Sequence, residues 1–163
     1  MKFNTFFIIL FGIIIGIVLK LFVVDIVKVS GTSMEPAIAD GSVTVIYKLA
    51  YGLINPVTSE LAIQWDTPEK GDIVTYIYND KTIVKRCIGI GGEALDFSAD
   101  SRYSIYVSGE EYPLSEEQYQ RIKYDEIVPE HTIFVIGDNA SHSVDSRDYG
   151  FIPVKNILGK VVR

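Results

Sequence analysis

Between Phe6 and Val24 the chain carries one charge, Lys20: Phe6 to Leu19 is an unbroken apolar run, and Leu21 to Val24 resumes it. At the helical rise these residues make about 28 Å, enough to cross a bilayer's hydrocarbon core. Lys20 lies near one end, where its stem stays in lipid while the ammonium reaches the interface. The run also has the charged start and apolar core of a cleavable leader, but Asp25-Ile26-Val27-Lys28-Val29 offers no small-x-small cleavage site after it. The expected plan is therefore residues 1–25 as a cytoplasmic N-terminus and single-pass anchor in the cell membrane, with 26–163 as one extracytoplasmic domain. Lys2 and the amino terminus mark the short side as cytoplasmic. Gly12 and Gly16 have the G-x-x-x-G spacing that lets membrane helices pack closely, so weak self-association is an expectation, although glycine is common in such helices anyway.

The chain has 163 residues, so the anchor leaves roughly 140 for the domain, enough to bury a core without metals or crosslinks. The single cysteine, Cys87, forbids an intrachain disulfide. Alternation along a strand places Cys87 on the same face as Lys85, as a small core or pocket-wall residue. A net charge of −6 with scattered basic residues gives no phosphate-binding footprint, which excludes nucleic acid as a partner.

Beyond Asp25 short β-branched and aromatic runs alternate with turn signals, and the fold class is mainly β, built of antiparallel sheets. Expected strands are Val27 to Ser30, Ser42 to Tyr47, Asp72 to Tyr78, Thr82 to Ile90, Ser104 to Ser108, Thr132 to Ile136 and Leu158 to Val162. Asn79-Asp80 predicts a hairpin turn between the third and fourth, and Ser115 to Lys123 is the one helical stretch of any length. The apolar segment from Ile46 to Val57 lacks clean alternation and leaves two readings open, core burial or a patch dipping into the membrane surface.

The chemistry-bearing residues fall in three segments. Ser33 lies in Ser30-Gly31-Thr32-Ser33-Met34-Glu35-Pro36, just past the apolar run. A serine hydroxyl is a weak nucleophile until a base takes its proton. Lys85, in Ile83-Val84-Lys85-Arg86-Cys87-Ile88, is one candidate. An ordinary lysine is protonated at neutral pH, so a lysine base must be buried among apolar groups. Local pattern alone leaves an edge-strand lysine facing water equally open. The third segment is Gly137-Asp138-Asn139-Ala140-Ser141-His142-Ser143-Val144-Asp145-Ser146-Arg147-Asp148-Tyr149-Gly150-Phe151. The acidic loop within it lacks the ligand spacing of an EF-hand, and Gly89-Ile90-Gly91-Gly92 lacks the spacing of a dinucleotide site.

In this order, and with Gly71-Asp72-Ile73-Val74 between the first two, the segments resemble the boxes of the type I signal peptidases, the Gram-positive-like branch of the Ser/Lys protease family. The resemblance spans most of the chain. It implies a membrane-bound serine endopeptidase that removes signal peptides from exported preproteins after small residues of Ala-x-Ala type, with Ser33 and Lys85 as catalytic dyad and no metal or organic cofactor. It implies Ser143 within hydrogen-bond reach of Lys85 and an Asp145–Arg147 ion pair holding the loop. His142 is the competing base, since eukaryotic-type signal peptidases resemble this layout with histidine in place of lysine, but the lysine box is intact and His142, in the loop of the last box, is expected to face solvent. It also implies that substrate is bound as an added strand between the segments leading to Ser33 and Lys85, with Val29, Gly31, Met34, Ile83 and Val84 lining its pockets. The serine that many relatives place two positions before the nucleophile is Gly31 here, so the Ser33 amide is the one oxyanion donor that carries over. The partners implied are signal peptides and the lipid bilayer. The alternatives are a non-catalytic or pilin-dedicated membrane paralogue in surface-protein assembly, against which the intact dyad speaks, and a LexA-type self-cleaving repressor, which would need a DNA-binding domain in place of the membrane helix.

Overall fold

The computed structural model describes residues 4–162. Helix α1 (Thr5–Val18) continues through one π-helical turn, Leu19–Val23, and none of its side chains is buried. The chain then passes directly into strand β1 (Val24–Lys28). β1 thus starts before the expected Val27 and takes Val24 out of the helical run, because Val24 and Ile26 pair with Tyr47 and Val45 of the next strand.

The remaining elements, in chain order, are β2 (Val43–Tyr47), β3 (Gly52–Ile54), β4 (Leu61–Gln64), β5 (Ile73–Tyr78), β6 (Lys81–Ile90), β7 (Leu95–Ser98), β8 (Ser104–Val107), β9 (Glu110–Pro113), α2 (Glu116–Ile122), β10 (Thr132–Ile136), α3 (Ser146–Tyr149), β11 (Ile152–Pro153) and β12 (Ile157–Val162). All seven expected strands form, with ends moved by up to three residues. The turn at Asn79 and Asp80 has both residues at positive φ, 48° and 59°, as a two-residue hairpin of matching twist requires. α2 occupies the expected helical stretch, and Ser115 and Gln118 close a reciprocal cap at its start.

Seven strands form one antiparallel sheet in the order β1-β2-β12-β5-β6-β10-β11. β3 and β4 form a hairpin, and β7, β8 and β9 a small meander. Two edges of the large sheet matter for function. Among the described residues β1 pairs with β2 alone. β10 reaches β6 between Arg86 and Ile90, so Lys81 to Lys85 pair on one side only, with β5. Residues of both free edges line one groove, so the sheet curls until they face each other.

The core falls into three clusters. One lies around Tyr76, Val135 and Ile157, and a second around Ile105, Val107 and Phe134 beneath the small meander and α2. A third, Val29, Met34, Ile38, Ile73, Val84 and Val161, packs under the groove. Cys87 is fully buried in the first cluster, and burial pushes its thiol up to about 12. In the 46–57 segment Ile46, Tyr51 and Ile54 are core residues, while Tyr47 and Val57 stay exposed. The opposite face of the β1-β2-β12 edge is open: Val24, Ile26, Val45, Tyr47 and Val162 are exposed and lie beside one another through the pairs Val24–Tyr47, Ile26–Val45 and Val45–Val162, flanked by Lys28 and Lys160.

Candidate active site

Ser33 sits in the irregular turn that follows β1, and Lys85 at the middle of β6. Met34, 1% exposed, anchors that turn in the core, and the amide of Asn139 donates to the carbonyl of Ser33 at 3.0 Å. These ties bring Ser33 Oγ to 2.7 Å from Lys85 Nζ. Lys85 is 4% exposed and makes no ion pair among the described residues. Burial holds its pKa below the ordinary lysine value, Asp145 and Asp138 pull the other way, and Arg147 adds to the lowering. A lysine shifted in this direction carries a larger neutral fraction, and its free lone pair can accept the serine proton over the same short distance.

The third segment forms a rigid bracket behind this pair. Asp145 is fully buried and Arg147 nearly so. Arg147 Nε and Nη2 donate to the two oxygens of Asp145, each at 2.8 Å. The remaining donors of Arg147 reach the carbonyls of Pro113 and Ala140. Asp145 Oδ2 also accepts from the Gly137 amide at 2.9 Å and from Ser143 Oγ at 2.6 Å. A buried carboxylate so fully bonded fixes every group that points at it.

The Ser143 contact corrects an expectation. Its hydroxyl donates to Asp145, and no hydrogen bond joins Ser143 to Lys85 among the described residues. With its single proton committed to Asp145, Ser143 Oγ has only lone pairs left to offer its other neighbours. It borders the dyad through Gly137: a β-carbon there would lie 2.3 Å from Ser143 Oγ and 2.4 Å from the Ser33 carbonyl oxygen.

Of the expected lining residues, Val29, Met34, Ile83 and Val84 border the groove of about 450 Å³ that ends at Ser33 and Lys85. Gly31 does not. It is held at φ +98° with its amide donating to Asp40 Oδ1 at 2.7 Å. That backbone conformation suits glycine and strains any residue with a β-carbon. His142 is exposed and bonds to Ser141 and Asn139, and no hydrogen bond joins it to Ser33 among the described residues.

One element escaped sequence reasoning. Arg86 Nε and Nη2 each donate to Asp138 at 2.7 Å, and Nη1 reaches the carbonyl of Gly71 at 2.8 Å. The residue beside Lys85 is thereby tied to the turn that carries Asn139. Its only sequence signal is an arginine next to the lysine and an aspartate within the Gly137-Asp138-Asn139 turn.

The family model described as signal peptidase, peptidase S26, matches residues 2–163. The chain belongs to this family. Among curated relatives, signal peptidase I of Bacillus caldolyticus is 31% identical over 88% of this chain and 80% of its own length. Signal peptidase I of Buchnera aphidicola subsp. Baizongia pistaciae is 25% identical over 98% of this chain and 74% of its own length. Among solved structures, a signal peptidase I from Enterococcus faecalis V583 is 27% identical and covers 60% of this chain and 98% of its own, with a TM-score of 0.43. As a signal peptidase this chain is a peptide-bond hydrolase whose substrates are signal peptides, and its apolar N-terminal helix fits anchoring in a membrane.

Proposed function

We propose that this signal peptidase cuts exported preproteins with Ser33 as nucleophile and Lys85 as general base. The observation that carries this is the 2.7 Å contact between Ser33 Oγ and a buried lysine whose pKa is held down by desolvation. Neutral Lys85 takes the Ser33 proton as Oγ attacks the scissile carbonyl. It then gives that proton to the leaving amine, the carbon–nitrogen bond breaks, and an ester of Ser33 remains. Water, deprotonated by the same amine, adds to the ester carbonyl; the bond from that carbon to Ser33 Oγ then breaks, Lys85 returns the proton to Oγ, and the new carboxyl terminus is released. The Ser33 amide has no hydrogen-bond acceptor among the described residues and is available to the oxyanion. Gly31 offers no side-chain donor. Asp145 and Arg147 hold the bracket as positioning residues, and their charges act on the Lys85 amine in opposite directions.

The two free edges flanking the groove support binding of substrate as an added strand, with backbone hydrogen bonds to β1 and to Lys81–Lys85. The shallow walls formed by Val29, Met34, Ile83 and Val84 suit small side chains of the Ala-x-Ala type. The exposed apolar face of β1, β2 and β12 begins where the membrane helix ends, and rests on the bilayer surface of the extracytoplasmic side. The N-terminus is cytoplasmic in this arrangement. Gly12 and Gly16 leave open space along the helix for a second copy to pack.

The test is cleavage of a detergent-solubilised preprotein bearing an Ala-x-Ala site by wild type, Ser33→Ala and Lys85→Ala. Cleavage by wild type with loss of roughly 10⁴-fold or more in both variants supports the dyad. Retained activity in Lys85→Ala removes the lysine base.

A further inference from the structure

A second cleft, of about 760 Å³, lies beside the Ser33 turn and shares none of its lining residues with the groove described above. Its walls include Glu35 and Pro36 just after Ser33, Leu114 and Gln118 from the end of β9 and α2, and Asn139 and Ser141 from the turn that bonds the Ser33 carbonyl. The groove described above continues the other way. A smaller cavity shares Val27 and Thr82 with it and reaches Leu21 in the last turn of the membrane helix. A signal peptide inserted in a bilayer reaches Ser33 most directly from the Leu21 side, which leaves the cleft beside Glu35 for the chain beyond the scissile bond.

The charges of this second cleft are unequal. Asp138 is neutralised by Arg86, and Arg147 by Asp145. Glu35 is in no ion pair among the described residues, and the one hydrogen bond its carboxylate accepts there is from the Asp40 amide at 3.3 Å. A carboxylate without a counter-ion, beside the reacting serine, gives the cleft a negative field.

We propose that this cleft seats the first residues of the mature protein and that Glu35 makes it favour cationic over anionic side chains there. This rests on the signal peptidase reading of the Ser33 site. Glu35 acts through space on substrate charge, so its influence is on kcat/KM for charged sequences and weakens as salt rises.

The experiment uses the full chain in detergent with three peptides identical up to the cut and carrying Lys, Gln or Glu at the second residue after it. In wild type the Lys peptide should exceed the Glu peptide by roughly threefold to tenfold in kcat/KM at low salt, the size expected for one partly solvated charge. Glu35→Gln should bring that ratio toward one. Ser141→Lys, on the opposite wall, should lower it in the same direction and decides the matter if Glu35→Gln folds poorly. If all three peptides are cut and neither variant moves the ratio, the cleft assignment is overturned while the activity stands. If wild type cuts none of them, the peptidase reading falls and takes this inference with it.

Discussion

Two of the arginine–carboxylate pairs among the described residues have similar geometry in opposite surroundings. Arg147 and Asp145, behind the dyad, have side chains 2% and 0% exposed, whereas Arg102 and Glu111, on the small meander, are 66% and 32% exposed. Both are short, at 2.8 Å from guanidinium nitrogen to carboxylate oxygen. What differs is what else each carboxylate holds. Glu111 adds the Ser104 hydroxyl to Arg102. Asp145 gathers Arg147, Ser143 and the Gly137 amide, so three groups of the segment behind Ser33 and Lys85 share one acceptor. Desolvation makes a buried pair no bargain for stability in itself, but breaking one strands a charge. The buried pair is thus a positioning device, and the exposed pair a surface contact screened by water and salt.

The widest break in that comparison is Arg147→Ala, which leaves Asp145 charged and unpaired in the core. It should cost about 3–5 kcal/mol by urea unfolding, together with most of the activity. Gly137→Ala sharpens the same point without touching a charge. Its β-carbon would press on the Ser33 carbonyl and Ser143 Oγ, and a displacement of that order should lower kcat/KM by roughly 100-fold. Lys85→Met tests the cost of burying an amine near the bracket. Because the Lys85 pKa is lowered in the folded state, the unfolded chain binds more protons between that lowered value and the ordinary lysine value. Stability from this group therefore rises with pH across that window. Lys85→Met should be inactive yet more stable than wild type at neutral pH, with a gain smaller than the Arg147→Ala loss, read from thermal melts. The smallest effect is expected for Arg102→Ala, with a melting midpoint matching wild type in moderate salt and unchanged cleavage.

The apolar helix, the main strands and the two residues that meet at the candidate site, Ser33 and Lys85, were legible in the sequence because each rests on a local signal: an apolar run, β-branched alternation, an Asn-Asp turn, or a motif. The short strands Gly52–Ile54, Leu61–Gln64, Leu95–Ser98 and Glu110–Pro113 were not. Each has at most four residues, and glycine, proline and adjacent glutamates weaken the β signal, so tertiary pairing decides them. α3 was hidden for a similar reason, being four residues long and defined by a reciprocal Asp145–Asp148 cap. At the site, what escaped was long-range. The Arg86–Asp138 pair joins residues 52 positions apart, and nothing in the spacing of Ser143 and Asp145 shows that the serine spends its proton on the aspartate. Gly31 was legible as a missing side-chain donor, but its positive φ and its bond to Asp40 emerge only from the folded turn.

The central claim is that a buried neutral Lys85 activates Ser33, and the pH dependence of kcat/KM on a preprotein substrate tests it most directly. The account predicts activity that rises with pH on a limb below the ordinary lysine value of about 10.4, disappears in Lys85→Ala and does not shift in His142→Ala. A limb near the ordinary histidine value of about 6.5 that vanishes in His142→Ala, or a Lys85→Ala enzyme that still cuts, would contradict it.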